Sequence, residues 1–343
     1  MLAVILISFL PSLLFIPSKF AVLSSVFYFN HKSYLNILDY TSLIIMTAAG
    51  GALLIFQPEN TYSIQHFFAF LLFILIVPLL NFLVRFHVNN LIRWLSWICL
   101  INSISGIIFF NFDIDLSSYR GLNTIYDTDG FPTRFFFESA CLSIVANYSF
   151  LKNNFLKIIF YCLIFYFTVF IVKSFLIVIL MLINNRSSFA KIFTNIRLSK
   201  YLTYSLLLIM LIVLISIQLI LREDFSLSIY EKLFQLKMLM STNVNFFIGN
   251  GWGYVLPEYI RNENQPFQIE MQLPMLLVQM GCVVFLTYLA YMYRAIKIST
   301  KNSTNSKYIF LIYISVGFIN PWLFMPVWYL TVVLLNNSSK NLR

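Results

Sequence analysis

Charged side chains are scarce in this chain: 10% of its residues are Asp, Glu, Lys or Arg, and only 13 are acidic. A soluble domain is about 25% charged and about 45–50% apolar. Here 60% of residues are hydrophobic and 18% aromatic, with a mean hydropathy of +0.82. That imbalance excludes a water-soluble globule. Cysteine is rarer still, with four in the chain. Cys99, Cys141, Cys162 and Cys282 all fall inside apolar stretches with no CxxC spacing, so they read as small hydrophobes and not as a redox or metal motif. The three histidines, His31, His66 and His87, are too far apart to suggest a metal site, and neither a metal nor a cofactor is expected. No GK[ST] follows the glycines of "GNGWG" at 249–253, which removes a phosphate-binding P-loop. The first residues carry no basic segment, so the N-terminus is expected to be a retained membrane helix and not a cleaved signal peptide.

Long apolar runs are what the chain has instead. Crossing a bilayer takes about 20 residues, and 66–84, 201–221 and 267–293 each reach that length. The net charge of +10 does not point to nucleic acid, because the basic residues gather in short loops between apolar runs. Arg186, Lys191, Arg197 and Lys200 in 185–200, and Arg294, Lys297, Lys301 and Lys307 in 294–307, form two such loops without an acid. By the positive-inside rule both face the cytoplasm. The loop 222–266 between them then lies outside, as does the acidic loop 112–133. Arg85 and Arg93 mark the cytoplasmic turn before that acidic loop, and Lys152 and Lys157 the one after it. On this topology every acid except Asp39 lies at or near the outer face.

Segments 2–30, 157–184 and 308–336 are too long for one crossing and short for two. Each is interrupted near its middle, at Pro17-Ser18-Lys19, Lys173-Ser174 and Asn320-Pro321, which suggests pairs of short helices broken near the outer face. The expected fold is an all-α, polytopic membrane protein: a single transmembrane domain over 1–343 with ten to twelve spans and both termini inside. The large outer loop holds "SIYEKLFQLKMLM", where Ile229, Leu233, Leu236 and Met240 recur at steps of four, three and four. Glu231 and Gln235 fall on the other side, predicting an amphipathic helix that lies on the membrane or caps the bundle.

Polar chemistry is concentrated on the outer side. The glycines Gly249, Gly251 and Gly253 predict a tight turn with positive φ or a close backbone approach. They are followed by Glu258, Arg261 and Glu263, and then by Glu270 at the start of a span. Glu270 is either an acid that stabilises a helix start or a general base placed where the site dries out. In "DTDGFPTRFFFESA", Arg134 and Glu138 are four residues apart, on one helix face. They form an intrahelical ion pair, or Arg134 grips an anion such as phosphate. Lys173 at its interruption is a further candidate cation, since charge at that depth requires a polar cavity or an interface. Arg120, Arg222 and Arg261 complete an outer ring. Such a basic, aromatic-rich site beside a carboxylate suits a lipid-linked diphosphate sugar, with Trp252 and Tyr254 against sugar rings.

Several of these segments resemble the O-antigen ligase and Wzy-type O-antigen polymerase superfamily. Its members have ten to twelve or so spans, a large late outer loop and a loose GxGxG before a span. In the ligases a His-Asn pair opens that span in the pattern HNxxLxxLxxxG. The corresponding stretch here is "EMQLPMLLVQMG", 270–281, with Glu270 and Met271 in place of the pair. The replacement shifts the resemblance towards the polymerases. "RFFFESACLSIVAN" and "FIVKSFLIVIL" are similar to their R…FEPxxxA and LSxSxxG segments. The likeness covers roughly residues 110–335.

The resemblance implies a bacterial inner-membrane polymerase of surface polysaccharide with its active face in the periplasm. It would transfer a growing chain from undecaprenyl diphosphate to the non-reducing end of a lipid-linked repeat unit. Glu270 is then the expected base, and Arg134, Glu138, Lys173, Arg222, Arg261 and the three glycines the expected substrate contacts. The expected partners are the undecaprenyl-diphosphate-linked oligosaccharide, the bilayer and a chain-length regulator. The alternatives are a ligase that passes the chain to lipid A-core, against which the missing His-Asn pair counts, and a flippase for lipid-linked oligosaccharide. Against a flippase stand the absence of an internal repeat and the outer-rim placement of the polar groups.

Overall fold

The structure, a computed structural model, describes residues 37–56, 61–112, 122–126, 132–148, 150–174, 176–181, 184, 216, 225–241, 245–256, 271–300, 305–318 and 323–338. The expected helix pair at 2–30, the basic loop 185–200, all but one residue of the span at 201–221 and the Asn320-Pro321 interruption lie outside these residues. By its internal contacts the chain forms two compact units, one of 1–19, 87–225 and 334–343, the other of 20–86 and 226–333. Nearly everything described is helical. Among the described residues, three helical runs are long and apolar enough to cross a membrane: His66–Asn111, Asn154–Ile171 and Gln272–Ser299.

Helix α1 spans Ile37–Ala52 and α2 spans Thr61–Asn111. The α2 run is two helices, 61–86 and 88–111, joined across a kink; at about 1.5 Å per residue each is roughly 35–40 Å long, enough to cross the ~30 Å hydrocarbon core. A turn was expected between Arg85 and Arg93. The helical run is broken there at His87, whose φ of −129° and ψ of 26° are not helical. The boundary between the two units falls at that residue.

The unit of 20–86 and 226–333 also contains α4 (Phe225–Ser241) from its second residue, α5 (Gln272–Ser299), α6 (Ser306–Ser315) and the greater part of α7 (Pro326–Ser338). Helices α1 and α6 both pack on α5. Its core joins Phe70, Phe73 and Ile74 of α2 to Tyr288, Met292 and Ile296 of α5 and to Trp328 and Tyr329 of α7, all buried. Asn81, Tyr288, Tyr291, Tyr313 and Tyr329 of this core are paired, as a low dielectric demands. Asn81 Nδ2 donates to the Ala295 carbonyl at 3.2 Å, while its Oδ1 accepts from Tyr329 at 2.6 Å and from the Ser299 hydroxyl. Tyr288 and Tyr313 share a 2.6 Å hydrogen bond, and Tyr291 donates to the Ile74 carbonyl.

The unit holding 87–225 corrects the helical reading of "RFFFESACLSIVAN". Residues Leu122–Tyr126 (β1) and Pro132–Phe137 (β2) form an antiparallel hairpin, with Arg134 opposite Ile125. A tight helix of three residues per turn then runs over Glu138–Ile144. The cause is in the sequence. "LNTIY" and "PTRFFF" are β-branched and aromatic runs that favour strands, and "DTDG" between them is turn-forming. Arg134 and Glu138 are therefore not on one α-helical face. From Ala140 to Ala146 the chain is fully buried, which is where non-helical backbone is tolerated in a membrane protein. Ser96 secures the stretch that follows, accepting from Asn147 N–H at 2.8 Å while its carbonyl accepts from Tyr148 at 2.6 Å.

Helix α3 (Asn154–Tyr166) starts where Asn153 caps the amides of Phe155 and Leu156, and it widens into a π-turn at Phe167–Ile171. The break expected at Lys173-Ser174 is present. Lys173 has a left-handed φ of 51°, and helix resumes after it. All four cysteines are free, with Cys99 and Cys141 buried as small core side chains.

Candidate functional site

The glycine cluster is built around a break in α5. Gly281 has φ 71° and ψ 167° inside an otherwise helical run, a conformation essentially confined to glycine. A break frees helix carbonyls below and an amide above, and in a membrane each must find a partner. The loop 245–253 supplies them. Asn250 N–H and Nδ2 both donate to the Val278 carbonyl, at 2.9 and 3.0 Å, and Gly251 N–H donates to that of Gln279 at 3.2 Å. On the far side Cys282 N–H donates to the Phe246 carbonyl at 2.8 Å.

The loop also satisfies itself. Asn245 Oδ1 accepts the amides of Phe247 and Ile248, and the Asn245 carbonyl accepts that of Gly249. Asn250 Oδ1 accepts the amide of Asn245. These are the local side-chain-to-backbone bonds at which Asn excels in turns. The approach to α5 is so close that a Cβ on Gly249 would meet the Gln279 carbonyl oxygen at 2.5 Å, and one on Gly281 the Ile248 carbonyl carbon at 2.4 Å. Gly249, Gly251 and Gly253 all have positive φ, at 90°, 94° and 73°. The tight turn and close backbone approach expected of "GNGWG" are both present.

Trp252 has a different role from the one expected. It is fully buried, donates Nε1–H to the Gly50 carbonyl at 2.7 Å and packs among His66, Phe67 and Phe70. No face is open to a sugar ring, so it anchors the loop and does not bind substrate by stacking. Tyr254 is half-buried, and burial pushes its phenol up from the ordinary value. Gln279 is wholly buried and donates Nε2–H to the Tyr254 carbonyl at 3.4 Å; its Oε1 has no hydrogen-bond partner among the described residues.

Helix α4 forms where the amphipathic helix was expected, but rotated. Gln235, placed by the sequence on the polar face, is fully buried and accepts the Met271 amide at 3.3 Å through Oε1. Leu239 beside it packs on Leu256, Met275 and Val278. Ile229, Leu233 and Met240 are exposed. A polar side chain turned inward to hold a backbone amide has outweighed the simple inside–outside pattern. The apolar stripe is what faces outward, as it would towards a membrane.

Of the residues expected to form the site, the structure brings together Gly249, Gly251 and Gly253 at the α5 break. Arg134, Glu138 and Lys173 belong to the other unit. There Arg134 lies in β2, Glu138 opens the tight helix, and β2 packs against the π-turn that precedes Lys173. Glu270, Arg222 and Arg261, with Arg120, lie outside the described residues. Sequence reasoning missed Asn245, Asn250, Gln235 and Gln279. Their signal was an amide side chain within or beside an apolar run, where each must be hydrogen-bonded to be tolerated. No protein-family model, no curated protein and no solved structure matches this chain.

Proposed function

We propose that this chain is a membrane glycosyltransferase that polymerises a bacterial surface polysaccharide from undecaprenyl-diphosphate-linked repeat units. The supporting observation is how the chain is held around the start of α5. The amide of Met271, the residue after Glu270, is bound by buried Gln235, and the glycine loop locks α5 farther along at Gly281. A general base needs such a fixed point of attachment. The hydroxyl at the non-reducing end of one repeat unit attacks the anomeric carbon of the growing chain, and Glu270 takes the hydroxyl proton. The bond from that carbon to the diphosphate breaks, and undecaprenyl diphosphate leaves with the electron pair. The cations that the sequence offers for neutralising the diphosphate are Arg134, Lys173, Arg222 and Arg261.

Gel analysis of surface polysaccharide tests this in cells lacking the gene, complemented with wild type or Glu270→Gln at equal expression. The expected deletion phenotype is a lipid A-core carrying one repeat unit. Wild type restores the ladder, and Glu270→Gln does not. A ladder of normal length and amount with Glu270→Gln ends the assignment of the base. A second reading, a flippase for lipid-linked oligosaccharide, is favoured by the helix breaks at Lys173-Ser174 and Gly281, because transporters bind substrate at such interruptions. It predicts a bare core in the deletion strain, as does the ligase reading.

A further inference from the structure

The path of the chain from α4 to Leu256 follows α5 inward and back. Gln235 meets the start of α5 at Met271, and Leu239 packs on Met275 and Val278. Phe246 then reaches Cys282, Asn250 returns to Val278, and Leu256 ends beside Met275. Residues 272–293 of α5 carry no charge. At about 1.5 Å per residue that stretch is roughly 33 Å long, close to the ~30 Å hydrocarbon core. Cys282 stands at its middle. The turn that meets Cys282 presents Phe246, Phe247 and Ile248, all exposed, with Phe247 78% exposed. On α5 the exposed apolar residues Val283 and Leu286 continue directly from that contact.

We propose that residues 245–253 form a re-entrant loop whose Phe246–Phe247–Ile248 tip is embedded among the acyl chains of the bilayer, beside the break in α5. Two independent features support this occupant. The first is continuity with the lipid-facing side of a membrane span, Val283 and Leu286. The second is hydrogen bonding. Irregular backbone survives at membrane depth only when its polar groups are satisfied by protein, and here the amides of Asn245, Phe247, Ile248, Gly249, Asn250 and Gly251 all have protein acceptors. Six of the seven amides from Asn245 to Gly251 are held in this way, more than a loop exposed to water requires. Nothing in this inference depends on the polymerase reading; it rests only on α5 crossing the membrane.

The test is the collision of a nitroxide label with oxygen, which concentrates in lipid, and with a water-soluble nickel chelate. The full chain, with Cys99, Cys141, Cys162 and Cys282 replaced by serine or alanine, is reconstituted in phosphatidylcholine vesicles. It is labelled singly at Phe247→Cys, Ile248→Cys, Leu286→Cys or Lys297→Cys. Leu286 marks the span and Lys297, exposed in the last turn of α5, marks the aqueous side. The expected result is that labels at 247 and 248 match Leu286, so the ratio of oxygen to nickel-chelate collisions inverts between 297 and 247. Chelate-dominated collisions at both 247 and 248 overturn the proposal, placing the tip in water. Shielding from both reagents also overturns it, because a protein surface then covers the tip. Each position is exposed, so either label leaves the fold intact, and agreement of the two guards against a local artefact.

Discussion

The two units each contain a broken helix, and the breaks are handled in opposite ways. At Gly281 the break is filled from outside: Asn250, Gly251 and Phe246 take up the freed backbone groups of α5. At Lys173 it is managed locally. The Val172 amide reaches back to the Phe167 carbonyl at 2.9 Å, closing a π-turn, and Val178 begins the next helix by donating to Ser174. The first break uses a residue free to adopt its angles. The second forces a lysine to φ 51°, which costs an L-residue about 1–2 kcal/mol. A filled break at a glycine is a rigid joint, whereas a strained break at a lysine keeps a charge at a defined place in an apolar unit. Both devices hold a feature that the apolar sequence around them would otherwise erase.

The largest effect comes from breaking the filled joint. Gly281→Ala brings a Cβ to within 2.4 Å of Ile248 backbone and demands φ 71° of a non-glycine residue. Backbone cannot yield as a side-chain tip does, so the helix and loop must separate and strand the carbonyls of Val278 and Gln279. A loss of about 4 kcal/mol, at the high end for one substitution, is expected as a steep fall in the thermal midpoint of the purified protein. Gly249→Ala removes the same contact from the other side. The double variant should therefore fall little further than either single one, because coupled sites do not add. An unfolding midpoint unchanged in Gly281→Ala means the joint is not there.

A smaller effect is expected at the loop's other anchor. Trp252→Phe removes the Nε1–H donor to Gly50 and leaves that carbonyl buried without this partner, at a cost of about 1–3 kcal/mol. Polysaccharide ladder length should nevertheless stay normal when the folded amount is matched, since Trp252 presents no open face. A shortened ladder at matched folded amount returns Trp252 to the substrate site and breaks the distinction between the loop's anchor and its chemistry.

What could be read in the sequence followed from strong, local signals. The membrane character came from composition, the helix at 225–241 from periodicity, the break at Lys173-Ser174 from two polar residues in an apolar run, and the positive φ of the glycines from their crowding. The hairpin at 122–137 was legible as well, in two β-prone runs around Asp-Thr-Asp-Gly, but the four-residue spacing of Arg134 and Glu138 favoured a helix. What was not legible depends on partners distant in sequence. Gln235 faces inward because the Met271 amide needs an acceptor, and Trp252 is buried because Gly50 lies above Phe67. Neither choice is visible in a local pattern. Gly281 closes the "EMQLPMLLVQMG" stretch in the sequence, but nothing marks it as a helix break until the loop at 245–251 comes to lie against it.

The smallest effect sharpens the comparison at the strained break. Lys173→Ala and Lys173→Gly both delete the ammonium and its stem, so any difference between them isolates the backbone. Alanine inherits the left-handed penalty, whereas glycine adopts φ 51° without it. Glycine also loses more conformational freedom on folding, which offsets part of the gain. The glycine variant should be the more stable by about 1 kcal/mol, seen as a midpoint a few degrees higher in paired thermal scans. Both variants should lose polymer equally if the cation at 173 neutralises the diphosphate, because neither restores charge. Equal midpoints mean the lysine is not strained there. A ladder that recovers with glycine but not alanine means the break acts through its geometry, and the charge at 173 then has no part in the chemistry.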